Sequence, residues 1–306
     1  MVSTILINFP TNLGDAIMSL PVLDRLKANY PKSKITAIVS LQTREFLLRN
    51  NFIDEIVVFD KLWRIREKKR FAFSFRGKYD LVVDLKNSFL PIIVGAKLRT
   101  PYFRKFPKNM HIADKNLALI KKIAKKEEEE KSDFSFGDES KSKWDNLGIT
   151  SALFIACSSR SLLKRYSYFY LRKVVEDLAK IYPVAILGEK GDREFYGDIL
   201  SLPEVIDLVG QTTMVDVFYL LKNYARLLLG VDSSVTHLGS YLNVPIVSIF
   251  GPTHPGRSYP KSDKSVVLTN KSVSCAPCEK ATCDFNYECM KIEPGIIIDV
   301  VKNLLS

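Results

Sequence analysis

The 306-residue chain reads as an α/β protein of two Rossmann-like doubly wound domains, and three observations predict this. Short apolar runs of strand length alternate with helical periodicities along the chain. The alternation is interrupted once, by a charged stretch of low hydrophobicity from Lys125 to Asp145, and then restarts. Polar turns follow two of the apolar runs, at the strand-to-helix junctions where such folds hold ligands.

The elements follow in order. In the first half the strand patterns are Thr4–Phe9, Ile35–Val39, Glu55–Phe59 and Leu81–Leu85. Helical patterns lie between the first three and again after Asn87. The first carries Ile17, Leu20, Leu23 and Leu26 on one face, with Pro21 in an early turn and Ser19 as a candidate cap. The second half offers strands at Ala152–Cys157, Val184–Leu187, Val205–Leu208, Arg226–Gly230 and Pro245–Phe250. The expected domains are residues 1–145 and 146–306, with a cleft between their strand ends.

Composition bounds the function. No apolar run approaches the ~20 residues that a membrane-spanning helix needs. Leu90–Leu98 is short and broken by Lys97. Met1 leads directly into a strand, so no signal peptide is read and a cytoplasmic protein is expected. The net charge of +11 is uneven: residues 1–150 hold 28 Lys and Arg against 18 Asp and Glu. Its densest part is Arg64, Arg66, Lys68, Lys69 and Arg70, continuing to Arg76 and Lys78 and interleaved with Trp63, Phe71, Phe73 and Phe75. Basic residues beside aromatics suit an anionic membrane surface, a phosphorylated glycolipid or nucleic acid; the bland alternative is a solvated face. The run Lys121–Lys131, with Glu127 to Glu130, reads as a solvated helix end or linker.

Two turns carry candidate chemistry. Asp232, Ser233 and Ser234 lie where an apolar strand meets a helix containing His237. A helix amino terminus offers unpaired N–H groups and partial positive charge, which suits a phosphate; alternatively Asp232 or Ser233 only caps the helix. Pro10–Asp15 forms the other turn and places a carboxylate, Asp15, at the mouth of the first strand. It lacks the GxGxxG spacing of a dinucleotide site, and its own bland reading is a first-turn acid.

Together these segments resemble glycosyltransferase family nine, the bacterial heptosyltransferases. Ile5–Phe9 with Leu13-Gly14-Asp15 and Leu20-Pro21 is similar to that family's opening. Val231–Ser234, His237-Leu238, Val244-Pro245 and Phe250–Thr253 are similar to its donor-site block. Lys164-Arg165-Tyr166 resembles a Lys-Arg-Trp element, and Gly188–Asp192 a strand-end loop near the donor nucleoside. The four matches occur in family order over nearly the whole chain. Ser234 stands where the family usually has glycine, keeping the backbone N–H but adding a side chain.

The resemblance implies the two-domain architecture known as GT-B, with a final helix that often crosses back to the first domain. It implies inverting, metal-independent transfer from a nucleotide-sugar, ADP-heptose, to a lipopolysaccharide core or similar lipid-linked glycan. Asp15 matches the base, Lys164 the pyrophosphate-contacting lysine and Asp192 the acid near the donor ribose. Asp232, Ser233, Ser234 and His237 match the donor-binding block. Bland rivals stand beside these roles: loop solvation for Lys164 and Arg165, a cap for Asp192 and a packed ring for His237. Arg257 and Tyr259 suit interdomain contacts as well as donor contacts.

Cys275, Cys278, Cys283 and Cys289 form a compact thiol cluster, for which a structural zinc or free or paired thiols are the alternatives. Cys157, in a strand, reads as a core thiol. No cofactor is required for the expected catalysis. The expected partners are the donor, a lipid-linked acceptor and an anionic membrane surface, with peripheral placement at the inner face of the cytoplasmic membrane. Two alternatives are a GT-B transferase with another nucleotide-sugar and a non-catalytic, metal-containing nucleic-acid-binding protein.

Overall fold

In the computed structural model, which describes residues 2–127 and 131–306, the chain forms two compact units, residues 1–135 and 136–306. The acidic run at 127–130 lies mostly outside the described residues.

The first unit runs β1 (Thr4–Asn8), α1 (Leu13–Ile17), α2 (Leu20–Asn29), β2 (Lys34–Val39), α3 (Leu41–Leu47), β3 (Glu55–Val58), α4 (Ile65–Phe73), β4 (Leu81–Asp84), α5 (Leu90–Val94), β5 (Leu98–Arg99) and α6 (Ile112–Ile120). All five strands are parallel, in the order β3-β2-β1-β4-β5. Covered on both faces, β1, β2 and β4 read as continuous apolar runs rather than alternations; Ile5, Leu6, Ile7, Ala37, Val39, Leu81 and Val83 are fully buried. Strand order reverses between β1 and β4, so the loops after these strands flank a switch point. Their ends are joined by the Asn8 amide, which donates to Asp84 Oδ1 at 2.7 Å. Ser19 does not cap α2 with its side chain; its hydroxyl donates to the Asp15 carbonyl at 2.7 Å.

The second unit opens with α7 (Asp138–Asp145), followed by β6 (Ala152–Ala156), α8 (Tyr168–Ala179), β7 (Val184–Ile186), α9 (Arg193–Tyr196), β8 (Val205–Asp207), α10 (Met214–Tyr224), β9 (Ala225–Val231), α11 (Ser234–Tyr241), β10 (Ile246–Phe250), β11 (Ser265–Thr269) and α12 (Pro294–Leu305). Its six parallel strands are ordered β11-β10-β9-β6-β7-β8, with the switch point between β6 and β9. β5 and β11 are edge strands that the apolar pattern did not mark.

The expected boundary shifts. The division falls at 135/136 rather than 145/146, because Phe134 stacks on Phe46 at 4.5 Å while Trp144 is buried in the second unit. Within the second unit, Ile297, Ile298 and Val301 of the final helix share a core with Leu171, Val174 and Leu178 of α8.

Candidate active site

In the second unit the polar residues gather at the carboxyl ends of β6, β7 and β9. Thr236 sits in the first turn of α11, and its hydroxyl donates to the Val231 carbonyl at 2.6 Å. Gly230 is required beneath it, because a Cβ there would lie 2.5 Å from Thr236 Oγ1. This tight turn swings Asp232 into the switch point.

Asp232 is buried and its carboxylate is satisfied by four side chains. Oδ2 accepts from Lys164 Nζ at 2.6 Å and Thr253 Oγ1 at 2.9 Å. Oδ1 accepts from Ser258 Oγ at 3.0 Å and lies 3.5 Å from His237 Nε2. Burial pushes its pKa up. The charges of His237 and Lys164, with hydrogen bonds from Lys164 and Thr253, outweigh that and hold it below its ordinary value. The capping reading fails for Asp232 and Ser233: Ser233 occupies the N-cap position of α11 without a side-chain cap bond. His237 is both packed and part of the cluster. Lys164, Asp232 and the amino end of α11 thus converge at one point, with Ser233 and Ser234 partly open at that end.

Arg165 turns to a second cluster. Its Nη2 donates to Asp192 Oδ1 at 3.1 Å and its Nε to the Ser159 carbonyl at 2.8 Å. Asp192 also accepts from Ser158 Oγ at 3.0 Å and the Glu189 N–H at 2.8 Å. It does not cap α9 with its side chain; its bond to the Glu189 N–H completes a capping box on the short 3-10 turn Lys190–Asp192, and with Ser158 it clamps the loop after β7 to the loop after β6. The more exposed carboxylate here is Glu189, paired with Arg160 at 2.6 Å. Lys164 and Arg165 are therefore not simply solvated, since each holds a different buried acid.

The loop after β10 leans on the cysteines. A Cβ at Gly251 would come within 2.8 Å of Cys289 Sγ and 2.5 Å of Met290 Sδ. The Pro252 carbonyl accepts from the Glu279 N–H at 2.8 Å, and Glu279 pairs with Arg257 at 3.2 Å. Arg257 Nε is buried with no hydrogen-bond partner. Cys275, Cys278, Cys283 and Cys289 line one small pocket as free thiols. Burial, then the neighbouring thiols, pushes the Cys289 thiol up. The expected zinc finds no support in this geometry: among the described residues no group of three or more His, Cys, Asp or Glu could hold a metal ion. Cys157 is a core thiol, pushed up by burial.

In the first unit Asp15 sits half-buried in the first turn of α1, directly after β1, with the Asn12 amide 3.5 Å from its Oδ2. On α4 Phe71 turns away from the cations while Phe73 is exposed with them. Phe71 packs edge-on against Trp63 and Phe75 and tilted against Phe59, whereas Arg64, Arg66, Lys69 and Arg70 are exposed and Lys68 is half-exposed. No helix among the described residues is long and apolar enough to cross a membrane.

Sequence reasoning missed Thr253 and Ser258 as partners of Asp232. Thr253 lay inside a quoted motif, and Ser258 had no signal.

Two parallel sheets, each with polar side chains at the strand ends of its switch point, define a two-unit doubly wound α/β protein of the kind that binds ligands at those ends. The chain belongs to glycosyltransferase family 9 (heptosyltransferase), whose signature matches residues 69–288, and it is a glycosyltransferase. It is 25% identical to lipooligosaccharide heptosyltransferase 2 of Campylobacter jejuni over 98% of both chains. It is 24% identical to an Escherichia coli lipopolysaccharide heptosyltransferase 3 over 78% of this chain and 81% of that one. The fold matches a family 9 glycosyltransferase of Veillonella parvula with a TM-score of 0.80, 22% identity and coverage of 99% and 97%. It also matches the E. coli ADP-heptose lipopolysaccharide heptosyltransferase II, with a TM-score of 0.77, 22% identity and coverage of 99% and 98%. An enzyme of this family leaves no place for the non-catalytic nucleic-acid alternative.

Proposed function

We propose that the chain transfers a heptose from ADP-heptose to a lipopolysaccharide core or similar lipid-linked glycan, by one inverting displacement without a metal. The observation that carries this reading is the convergence of Lys164, Asp232 and the amino end of α11. A departing nucleoside diphosphate needs positive charge as the bond to the sugar breaks. The Lys164 ammonium and the first N–H groups of α11 supply it, and Asp232 fixes where the ammonium stands. Ser233, Ser234 and His237 shape the same end of the helix. Asp192 acts on the nucleoside side by holding the loop that carries Glu189.

The acceptor hydroxyl must lose its proton as its oxygen attacks the anomeric carbon. Asp15 takes that proton on a carboxylate oxygen, and the electron pair of the sugar–phosphate bond leaves with the diphosphate. A single displacement needs only this one carboxylate at the reacting carbon. Arg64, Arg66, Lys68, Lys69 and Arg70 meet the anionic surface in which the acceptor resides, at the inner face of the cytoplasmic membrane.

Calorimetric titration with ADP, UDP and their sugar conjugates tests the donor. Tightest binding of ADP-heptose, with Lys164→Ala weakening ADP and ADP-heptose alike, is the expected result. Preference for a UDP-sugar would leave the reaction class standing and overturn the donor.

A further inference from the structure

We propose that Phe89, Tyr102 and Phe103 form a surface that inserts into an anionic lipid bilayer. The inference deepens the reading of the acceptor as lipid-linked and rests on it. It is distinct from the cations of α4, which lie on another segment.

The three rings pack on one another rather than on the core. Phe89 and Phe103 have centroids 4.3 Å apart, and Tyr102 lies 6.3 Å and 6.2 Å from them. Phe89 is 56% exposed, Tyr102 50% and Phe103 51%. Large rings in water are costly, and a contiguous apolar patch marks a contact. Phe103 adds conformational cost, because its φ of 50° places a bulky residue in the left-handed region. The conformation is held by Asn87: its amide donates to the Arg104 carbonyl and its Oδ1 accepts from the Arg104 N–H, each at 2.9 Å. The chain thus keeps a strained backbone whose result is a half-exposed ring.

Charge selects the partner. Residues 62–108 hold thirteen Lys and Arg against three Asp and Glu, nearly the whole net charge of the protein. Asp84 is buried, and Asp80 is engaged by Ser3 and Thr4. Lys97, Arg99, Arg104 and Lys105 lie in the same segment as the rings and are exposed; none forms an ion pair with a carboxylate among the described residues. Aromatic residues at the headgroup level with cations around them are what an anionic interface accepts.

The test is vesicle sedimentation of the full chain. Phosphatidylglycerol–phosphatidylethanolamine vesicles are compared with phosphatidylcholine vesicles, for wild type and for the pair Phe89→Ser with Phe103→Asn, where Asn tolerates the left-handed backbone. Wild type should favour the anionic vesicles. The paired variant should lose about tenfold in partition for each ring removed, the worth of withdrawing such a side chain from water. A Phe89→Trp variant should shift its emission to the blue and be quenched by lipids brominated on the acyl chain. Unchanged partition of the paired variant, no acyl-chain quenching, or equal binding to neutral vesicles would overturn the proposal. So would a wild-type dimer in sedimentation that the paired variant dissolves, since a second copy would then be the occupant. Transfer to a water-soluble, lipid-free acceptor should be the same for both proteins; its absence in wild type would count against the reaction assigned above, not against this surface.

Discussion

The ammonium of Lys164 lies 2.6 Å from Asp232 Oδ2, joining the loop after β6 to the loop after β9 across the switch point of the second unit. Asp232 is almost fully buried, and Lys164 keeps about a quarter of its side chain in contact with solvent. The lysine is therefore held at its inner side and open at its outer one. Lys164→Ala should weaken free ADP and the nucleotide-sugar together, by about 10- to 100-fold, the worth of a charge-assisted hydrogen bond to phosphate. If ADP affinity is unchanged while acceptor use collapses, Lys164 serves the acceptor.

Asp232→Asn should lose diphosphate affinity in step with Lys164→Ala, and the two substitutions together should cost little more than one. Residues acting through a single contact do not add. Full additivity in ADP binding would separate the two residues and give Asp232 its own contact with the donor.

Acid should act on the same carboxylate. Because the folded protein holds Asp232 below its unfolded value of 3.8, its contribution to stability is complete above that pH. It is lost as pH falls through the lower, folded value. The melting temperature of wild type should therefore drop more steeply below about pH 4 than that of Asp232→Asn. Parallel curves for the two proteins would remove the linkage.

Asp15→Asn should slow transfer by ~10²–10⁴-fold, the usual loss of a general base, with donor affinity within a few-fold of wild type. Near-normal turnover on a bound acceptor would refute the role of Asp15.

Gly251→Ala should destabilise the second unit by about 1–3 kcal/mol, the range for forcing extra atoms into a packed site. The new methyl meets Met290 Sδ and Cys289 Sγ at 2.5 and 2.8 Å. Combined with Met290→Ala the cost should be less than the sum of the two, as thermal melts would read.

The central strands were legible because burial on both faces leaves a short continuous apolar run bounded by polar residues. Ile5–Ile7, Leu81–Val83 and Leu227–Leu229 are of this kind, and all are buried. β11 is an edge strand with four of its five residues half-exposed, and β5 has two exposed residues, so neither carries that mark. In the site, Asp232 could be singled out because a charge at a strand end stands against an apolar background, whereas Lys164 was marked only by the family resemblance of Lys164-Arg165-Tyr166. Thr253 and Ser258 could not, since a hydroxyl in a loop has no pattern until the fold brings it to its acceptor. The interleaved aromatics of residues 63–75 divide in a way spacing alone does not tell: Phe71 and Phe75 turn to the core, while Phe73 stays exposed.

Trp144 has a consequence for where the gene could be cut. Its indole N–H donates to Asp216 Oδ1 at 2.8 Å, and Asp216 also completes the capping box at the start of α10. Asp145 accepts from the hydroxyls of Tyr219 and Tyr224. A fragment beginning at residue 146 would leave a hole the size of an indole and strip two tyrosines of their acceptor. One beginning at Phe136 would carry its own plug. The seam for exchanging second units between related enzymes therefore lies before α7, and hybrids spliced there should stay soluble where those spliced ten residues later aggregate.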